Sequence, residues 1–347
     1  MYNKTMKANL AINIAKDEYN KDLIIDLITI KDLLIAGNLG FGKSTLLHKI
    51  ISTLISNNSP ENLKLIMIDS SRVELQIYDG IPHLLIPNIF DPKKVILAMK
   101  WLAKEIIRRL DILKENKYRS IIDYDGKEDM PVIVLVIDEL ADFMGIYPKE
   151  IESVIFGIAQ TGYIVGIHII LSTSRSNNKI ITKSIRDSIS TRIAMQNSSI
   201  KESRLIIGMP DAHNLHGVGD ILYREGLKYP IRAQTYQINH DEVKAMIKSL
   251  KNKYKKIIKE NSGEYESPDN FFNLNENNEI LEYDNLYEEA KKVVLEGGKA
   301  STSYIQRKLG IGYSRSTQLI DLLEQNRVIG SANGAKSRKV YRDKSKE

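Results

Sequence analysis

The sequence contains no cysteine among its 347 residues. That absence excludes a disulfide framework, thiolate catalysis and cysteine-ligated metal, and it is typical of proteins from a reducing compartment. The 6 histidines are scattered, so no metal-binding spacing emerges from them. Long apolar runs are lacking at both ends, and Met1 to Asn20 lacks the charged-then-apolar order of a signal peptide. We therefore expect a cytoplasmic chain with no membrane segment.

Positive charge is concentrated in the last part of the chain. The net charge at pH 7 is +6, and residues 285–347, with 13 Lys or Arg against 7 Asp or Glu, carry all of this excess. A basic segment of this kind indicates contact with a polyanion. The length and the 42% hydrophobic content are sufficient for one large α/β domain and a small companion.

A glycine-rich turn lies between an apolar run and a helical pattern. Gly37 is followed after four residues by Gly42, Lys43 and Ser44. This spacing is typical of a phosphate-binding loop, in which backbone N–H groups surround the β-phosphate, the lysine reaches the β and γ oxygens, and the serine is held for Mg²⁺. A chance match is disfavoured because Leu33 to Ala36 predicts a buried strand before the loop and a helical pattern follows it. The predicted ATP-binding residues are Gly37, Asn38, Leu39, Gly40, Phe41, Gly42, Lys43, Ser44 and Thr45, of which Phe41 is unusually bulky for its position.

A second apolar run ends in two acidic residues. Residues 131–137 predict a central strand, and Asp138 and Glu139 follow at its carboxyl end, the edge at which open α/β sheets bind ligands. In a nucleotide hydrolase the first acid contributes to the Mg²⁺ shell, and the second orients or deprotonates the attacking water. The candidate catalytic residues are therefore Lys43, Asp138 and Glu139, and the candidate Mg²⁺ ligands are Ser44 and Asp138.

Several arginines in the large domain have two interpretations. Arg175 follows a predicted strand, and Arg192 lies within another; each either faces phosphate, in its own or a neighbouring subunit, or forms a structural salt bridge. On the long helix predicted from Lys93 to Lys114, Arg108 and Arg109 are predicted to point outward into solvent.

The composition changes near residue 256. Residues 256–284 are rich in Asn, Glu, Asp and Ser, and they predict an acidic linker. Beyond it we expect a helix over 286–295, a second whose Ser303 and Gln306 fit a capping box, a third over 314–326, and a hairpin over 328–341. Helices, a glycine-containing turn and a basic hairpin indicate a winged helix-turn-helix. Such a module binds nucleic acid or protein, and the charge favours nucleic acid.

In order and wording these motifs resemble the motor and γ domains of the FtsK/SpoIIIE DNA translocases. The resemblance is carried by the loop from Gly37 to Thr45, "LIMID" followed by Glu74, the strand ending in Asp138 and Glu139, "GIHIILST", "GVGDILY" and, in the last domain, "IQRKLGIGYSRS". It implies an α/β fold: a RecA-like P-loop NTPase with a central, mostly parallel sheet, plus a C-terminal winged helix-turn-helix domain. The predicted domains are an N-terminal β segment packed on the motor (1–30), the RecA-like motor (31–255), the linker (256–284) and the γ-like winged helix (285–347).

The resemblance also implies an activity, an ATP-dependent translocase of double-stranded DNA. It implies a hexameric ring that hydrolyses ATP between subunits, uses Mg²⁺, and carries a winged helix that reads sequence. A ring motor grips phosphate without reading bases, so a separate reader is needed for direction. The implied DNA-binding residues are Arg307, Ser314, Arg315, Gln318, Lys336, Arg338 and Lys339.

Some positions depart from the family pattern. The family's trans-acting arginine falls on Tyr163, and the glutamine of its "TQRP" segment falls on Ser174. Loss of an arginine finger costs several orders of magnitude in hydrolysis, so either Arg175 or Arg192 compensates or the ATPase is slow. The alternative is a DNA-binding partition or DNA-transfer adaptor that binds ATP for assembly, with weak or no hydrolysis. In the reading helix, Ser314 and Gln318 replace a family Asn and Arg, so we expect a different preferred DNA sequence.

The family's membrane segments, and the domain that precedes its motor, have no counterpart in this sequence. We therefore expect a plasmid, phage or mobile-element relative. The sequence identifies no membrane or recombinase partner.

Overall fold

The computed structural model describes residues 8–125, 130–255 and 287–312, together with 316–317, 319–320, 323–324, 328–330 and 338–341. The chain divides into two units, Met1–Leu274 and Asn275–Glu347. Within the described ranges, no helix is both long and apolar enough to cross a bilayer.

A nine-stranded sheet organises the larger unit. The order of its strands is β2-β1-β9-β8-β7-β3-β6-β5-β4. The strands from β7 to β4 in this order run parallel, and the other four add antiparallel pairs at one side, so the expected α/β fold with a mostly parallel sheet is confirmed. The strands are β1 (Ala11–Asp17), β2 (Asp22–Asp26), β3 (Leu33–Ala36), β4 (Leu63–Asp69), β5 (Val132–Asp138), β6 (Ile167–Thr173), β7 (Thr191–Ala194), β8 (Asp220–Glu225) and β9 (Ile231–Thr235).

Helices connect the parallel strands. All four residues of β3 are buried, which explains why this strand is apolar throughout instead of alternating. Helix α2 contacts α8, and α3 contacts α5. The helices of this unit are α1 (Leu27–Ile30), α2 (Lys43–Asn57), α3 (Pro92–Glu115), α4 (Leu140–Met144), α5 (Pro148–Thr161), α6 (Lys183–Ser188), α7 (Ile200–Ile207) and α8 (His240–Lys253).

The first two strands form an antiparallel hairpin at the side of the sheet, and β1 also pairs with β9. From sequence alone, residues 23–30 predict a strand that continues to Ile30, and this prediction is wrong because Leu27–Ile30 is the short helix α1. The carboxylate of Asp26 accepts a hydrogen bond from the N–H of Ile28 at 3.0 Å and caps the helix, which ends the strand.

The prediction that Arg109 points into solvent was also wrong. Its side chain is only 2% exposed. Its guanidinium donates to the Glu105 carboxylate at 2.6 Å and to the backbone carbonyls of Pro131 and Val165 at 2.7 and 3.0 Å. Arg109 therefore joins α3 to the segments that enter β5 and β6. Arg108 is 47% exposed, as predicted.

We expect Arg109→Ala to lower the free energy of unfolding by about 3–5 kcal/mol, because it leaves the carbonyls of Pro131 and Val165 without their donor and removes the buried cation beside Glu105, which then relies on the exposed Arg108. The measurement is the midpoint and slope of urea unfolding. Arg108→Ala removes the neighbouring, exposed partner of the same Glu105 and should change stability by less than about 1 kcal/mol. Equal effects of the two substitutions would contradict the structural role of Arg109.

The smaller unit contains helices α9 (Tyr287–Gly297) and α10 (Thr302–Leu309), with further helical residues between 316 and 324. Ile329 pairs with Val340 in an antiparallel bridge, and a second bridge joins Ala300 to Arg338. The buried residues of this core are Ala290, Val294, Ala300, Ile305, Leu319, Ile320, Leu323, Val328 and Ile329. Three helical segments and a strand pair are the winged helix-turn-helix that the sequence predicts.

The predicted start of α10 was wrong by two residues. Ser301, not Ser303, is the cap, and its hydroxyl accepts from the N–H of Tyr304 at 3.2 Å. Ser303 already lies inside the helix.

Candidate functional site

The glycine-rich loop leaves β3 and enters α2. The Lys43 ammonium donates to the carbonyls of Gly37 and Asn38 at 2.8 and 2.7 Å, so it lies over the loop itself. Helix α2 has Gly42 as its N-cap and no side-chain cap. The N–H groups of its first turn are therefore oriented toward the loop, where the helix dipole favours an anion.

Two glycines in this loop are required by the backbone and its neighbours. A Cβ on Gly37 would lie 2.7 Å from the Cβ of Met195, a distance that packed atoms do not tolerate. Gly42 has φ +99°, and a Cβ there would lie 3.2 Å from the N of Gly219. The Gly219 N–H donates to the carbonyl of Phe41 at 3.0 Å, so the "GVGDILY" segment packs directly on the loop.

The other loop residues are held by the end of β7. The Asn38 backbone N–H donates to the Gln196 carbonyl at 2.7 Å, and its side-chain amide donates to the Gln196 side chain at 2.8 Å. The Phe41 ring packs against the hydrophobic core of the larger unit, which accounts for a bulky residue at this position. Leu39 is 85% exposed. The loop is thus fixed at both ends and exposed at its tip.

Asp138 ends β5 and Glu139 follows it, and β6 separates that strand from β3. Burial, and after it the carboxylates of Asp69, Glu74 and Glu139, raise the pKa of Asp138 to about 6. Burial also lowers the pKa of the Lys43 ammonium, and Glu139 and Asp138 oppose that shift. The lysine and the two acids therefore form one electrostatic group at the carboxyl edge of the sheet.

This edge fits a magnesium ion that is shared with phosphate. Mg²⁺ prefers oxygen ligands and is usually held by one or two protein groups plus substrate oxygens and water. The Ser44 hydroxyl and the Asp138 carboxylate supply oxygen atoms of this kind, and the pKa of Asp138 is raised first by burial and then by neighbouring carboxylates, so the site disfavours negative charge that no cation balances. Among the described residues, no group of three or more His, Asp or Glu could hold a metal without substrate.

The Glu139 carboxylate is bound on both oxygens. Oε1 accepts from the Thr173 hydroxyl at 2.7 Å and from the Ala141 N–H at 3.3 Å. Oε2 accepts from the Ser174 N–H at 2.8 Å and from the Ser174 hydroxyl. The backbone of Glu139 is left-handed, with φ +55°, which is a strained conformation for this residue type.

Arg175 and Arg192 have different surroundings. Arg192 is partly buried and donates to the backbone carbonyls of Ile189, Ile206 and Arg186, so its guanidinium is used within the subunit. Arg175 is 63% exposed and lies 3.3 Å from the carboxylate of Asp142. Of the two arginines, Arg175 is the one beside the residues that bind the Glu139 carboxylate.

Tyr163 lies in the 3₁₀ turn that precedes β6, at the edge of the sheet opposite the glycine-rich loop. The ammonium of Lys31, which precedes β3, stands 3.7 Å from the centroid of its ring. The two residues line a groove of about 600 Å³ with Gln160, Ser190 and Lys228. The position that the family resemblance gives to an arginine thus has a lysine cation beside it.

Sequence reasoning assigned no role to Glu74 and Asp69, although it singled out the motif that contains them. Asp69 ends β4 and accepts from the N–H groups of Val73 and Leu75 at 3.1 and 2.9 Å, which shapes the loop that follows. Glu74 contacts the ring of His48 on α2 at 3.3 Å and contributes to the elevated pKa of Asp138. An acid a few residues beyond a buried strand was the signal available.

The predicted DNA-binding residues lie in the smaller unit. Arg307, near the end of α10, and Lys339 are exposed. Arg338 is 18% exposed and forms an ion pair with Glu324, so it is at least partly a structural residue. Outside the described residues lie Ser314, Arg315, Gln318 and Lys336.

Family models match both units. The model described as "FtsK/SpoIIIE family" matches residues 1–178, about half of the chain, and the model described as "Ftsk gamma domain" matches residues 281–343. Curated relatives called "DNA translocase FtsK" agree with this. The relative from Caldanaerobacter subterraneus subsp. tengcongensis is 40% identical over 97% of the chain, and the one from Clostridium tetani is 39% identical over 97%. The chain spans 47% and 46% of those two relatives, about half of their length.

Solved structures with the same fold include two ATPases and a conjugation coupling protein. The pair of ATPase domains 2 and 3 of EssC from Geobacillus thermodenitrificans has a TM-score of 0.63 at 21% identity, covering 73% of this chain and 50% of that chain. The pCW3 conjugation coupling protein TcpA, solved as a monomer with ATPγS, has a TM-score of 0.61 at 22% identity, covering 71% and 72%. The cytoplasmic domain of the type VII secretion ATPase EccC from Thermomonospora curvata has a TM-score of 0.61 at 22% identity, covering 72% and 31%.

Proposed function

Because the chain belongs to the FtsK/SpoIIIE family, we propose that it is an ATP-driven motor that translocates double-stranded DNA. The observation that carries the proposal is the grouping of Lys43, Asp138 and Glu139 at one edge of the sheet, in a chain that also has a γ-type winged helix. A phosphate-binding loop beside two acids is suited to hydrolysing a phosphoanhydride, and a basic winged helix is suited to a nucleic acid. The motor spans 31–255 and the winged helix 285–347.

Each residue of the site has a role in this proposal. The loop N–H groups from Gly37 to Thr45 hold the β-phosphate, and Lys43 moves from the loop carbonyls to the β and γ oxygens. Glu139 accepts a proton from the water that attacks the γ-phosphorus, while the bond from that phosphorus to the ADP oxygen breaks. Ser44 and Asp138 would hold Mg²⁺, which would supply positive charge that stabilises the transferred phosphoryl group.

Hydrolysis and DNA contact belong to different parts of the chain. We propose that several copies form a ring, hexameric as in the family resemblance, whose motor units grip DNA phosphates while the winged helix reads bases. Arg175 is the phosphate sensor within the subunit, since Arg192 donates to carbonyls of its own subunit. Lys339 and Arg307 contact the DNA backbone.

The second candidate is an adaptor that binds DNA and uses ATP only for assembly. Tyr163 and Ser174, at the positions of a family arginine and glutamine, favour it. A triplex displacement assay separates the two: a translocase removes a third strand from duplex DNA with ATP and fails to do so with ATPγS. Binding of DNA and nucleotide without any displacement would support the adaptor and contradict the motor.

We expect the double variant Arg307→Ala and Lys339→Ala to weaken binding to every duplex, because both side chains are exposed cations of the winged helix. Each lost phosphate contact should reduce the slope of log K against log salt by about 0.9. The measurement is fluorescence anisotropy with two unrelated duplexes over a range of salt. Lys292→Ala removes an exposed cation of α9 that is outside the proposed contacts, and it should leave the slope unchanged. A sequence-selective loss in the double variant would contradict a backbone role.

A further inference from the structure

The hydrogen bonds to Glu139 have a consequence for its chemistry. An ionised carboxylate has about four acceptor positions, two on each oxygen. In this structure the donors are Thr173 and Ala141 on Oε1 and the N–H and hydroxyl of Ser174 on Oε2. We call this arrangement the held state of Glu139. In the held state, Glu139 has no acceptor position left for a water molecule.

We propose that Ser174 is a positioning residue that keeps Glu139 in the held state, so that hydrolysis is suppressed until the Ser174 hydroxyl releases Oε2. This inference rests on the proposed function, in which Glu139 is the group that takes a proton from water. In addition, this carboxylate is withheld by Ser174, the residue that directly follows the neighbouring strand β6.

The surrounding structure is suited to two alternative arrangements. The left-handed backbone of Glu139 is strained, so only the surrounding contacts keep it in place. Oε1 can remain bound to Thr173, which is fully buried at the end of β6, while Oε2 changes partner. Loss of the Ser174 contacts therefore frees one oxygen without losing the side chain's anchor.

Arg175 links the held state to phosphate. Its N–H donates to the Thr173 hydroxyl at 3.2 Å, and its guanidinium lies 3.3 Å from Asp142 and is largely exposed. An incoming phosphate group that draws the guanidinium away from Asp142 displaces Arg175. Because Arg175 follows Ser174 directly in the chain, this displacement also shifts Ser174. The chemistry of this trigger is a phosphate oxyanion, supplied either by the nucleotide or by the DNA backbone.

The length of the side chain at position 174 determines whether its donor reaches Oε2 of Glu139. A serine hydroxyl is close enough to its own backbone to bond the same oxygen as its N–H does, which places both donors on Oε2. A glutamine, which the family resemblance expects here, carries its amide nitrogen two bonds farther from the backbone, so its side chain cannot make the same pair of contacts.

The test is the steady-state ATPase rate of the full chain and of Ser174→Ala, each with and without duplex DNA. A hydrogen bond to a charged group stabilises by an amount that corresponds to about tenfold or more in an equilibrium. We expect Ser174→Ala to raise the DNA-free rate about tenfold and to reduce the ratio of the DNA-stimulated rate to the DNA-free rate. Ser174→Thr keeps the hydroxyl and should restore the wild-type ratio.

Thr182→Ala is the matched control. The Thr182 hydroxyl donates to the Glu152 carboxylate at 2.6 Å, so its loss also removes a hydroxyl from a carboxylate, but one that is neither Glu139 nor Asp142. We expect this variant to keep the wild-type response to DNA. If a general loss of packing after β6 caused the effect, the two alanine variants would behave alike, which would overturn the proposal.

The remaining outcomes separate this inference from the proposed function. A fall in both rates of Ser174→Ala would overturn the inference, because Ser174 would then hold Glu139 in its productive position. Hydrolysis by Ser174→Ala but not by the unaltered chain would support the held state and contradict DNA-coupled hydrolysis in the native protein. The unaltered chain identifies the phosphate that releases Glu139. Hydrolysis that needs no DNA assigns the release to the nucleotide, and hydrolysis that requires DNA assigns it to the DNA backbone.

Discussion

We expect Lys43→Ala to reduce ATP hydrolysis by about 10²–10³-fold or more, in the presence as well as the absence of DNA. The reason is that Lys43 is the cation at the centre of the site: its ammonium lies over the glycine-rich loop, in the field of Asp138 and Glu139. Without it, the negative charge that develops on the γ-phosphate oxygens faces two carboxylates with no protein cation from the loop. Steady-state phosphate release with and without duplex DNA measures the effect.

The control for this variant is Lys49→Ala. Lys49 lies on the same helix, but its ammonium faces the ring of Tyr236 at 5.7 Å and not the loop. Its removal should leave hydrolysis unchanged, which separates a specific loss from a general effect on α2. Wild-type turnover in Lys43→Ala would exclude hydrolysis at this loop.

The second large effect concerns Glu139. We expect Glu139→Gln to lower hydrolysis by about 10²–10⁴-fold, because the amide keeps the size of the side chain but accepts no proton from water. ATP binding should persist, since the loop and Lys43 are unaltered. The measurements are steady-state hydrolysis and equilibrium binding of a fluorescent ATP analogue.

Glu225→Gln provides the comparison. Glu225 lies at the opposite edge of the sheet, where it pairs with Lys228 at 2.8 Å. Its neutralisation should change neither the hydrolysis rate nor the affinity for the ATP analogue. If Glu139→Gln loses binding and hydrolysis together, Glu139 is a structural residue of the loop region and not the base. If it loses neither, another group activates the water.

The local parts of the fold and of the site could be predicted from the sequence. The glycine spacing before Lys43 and the apolar strand that ends in Asp138 are each set within a dozen residues, so a linear pattern contains the information. The capping of α1 by Asp26 is equally local, yet it was missed because the apolar residues after Asp26 also fit a strand. A short apolar run in a sequence fits a helix as well as a strand, so it does not distinguish between them.

Contacts between distant segments could not be predicted. Thr173 and Ser174 reach Glu139 across a sequence separation of about 35 residues, and only the insertion of β6 between β3 and β5 brings them together. Arg109 is different, because the signal was present: it follows Ile106 by three residues on the apolar face of α3. Its charge suggested solvent, but the carbonyls of Pro131 and Val165, which compensate its burial, lie elsewhere in the chain.

The tyrosine at position 163 shows a related limit of prediction from sequence. Alignment with the family pattern reports the loss of an arginine, but it does not report that Lys31 lies 3.7 Å from the tyrosine ring. A change in one side chain is visible in sequence. A cation supplied beside it by a segment more than a hundred residues away is visible only once β3 and β6 are paired.

We propose that nucleotide hydrolysis at the edge formed by Lys43, Asp138 and Glu139 is coupled to duplex DNA. The most direct test is the ATPase rate of the purified chain with saturating duplex DNA, divided by its rate without DNA. We expect a ratio well above one, which falls toward one as salt disrupts DNA binding. A ratio of one at low salt, with DNA shown to be bound, would contradict coupling between hydrolysis and DNA.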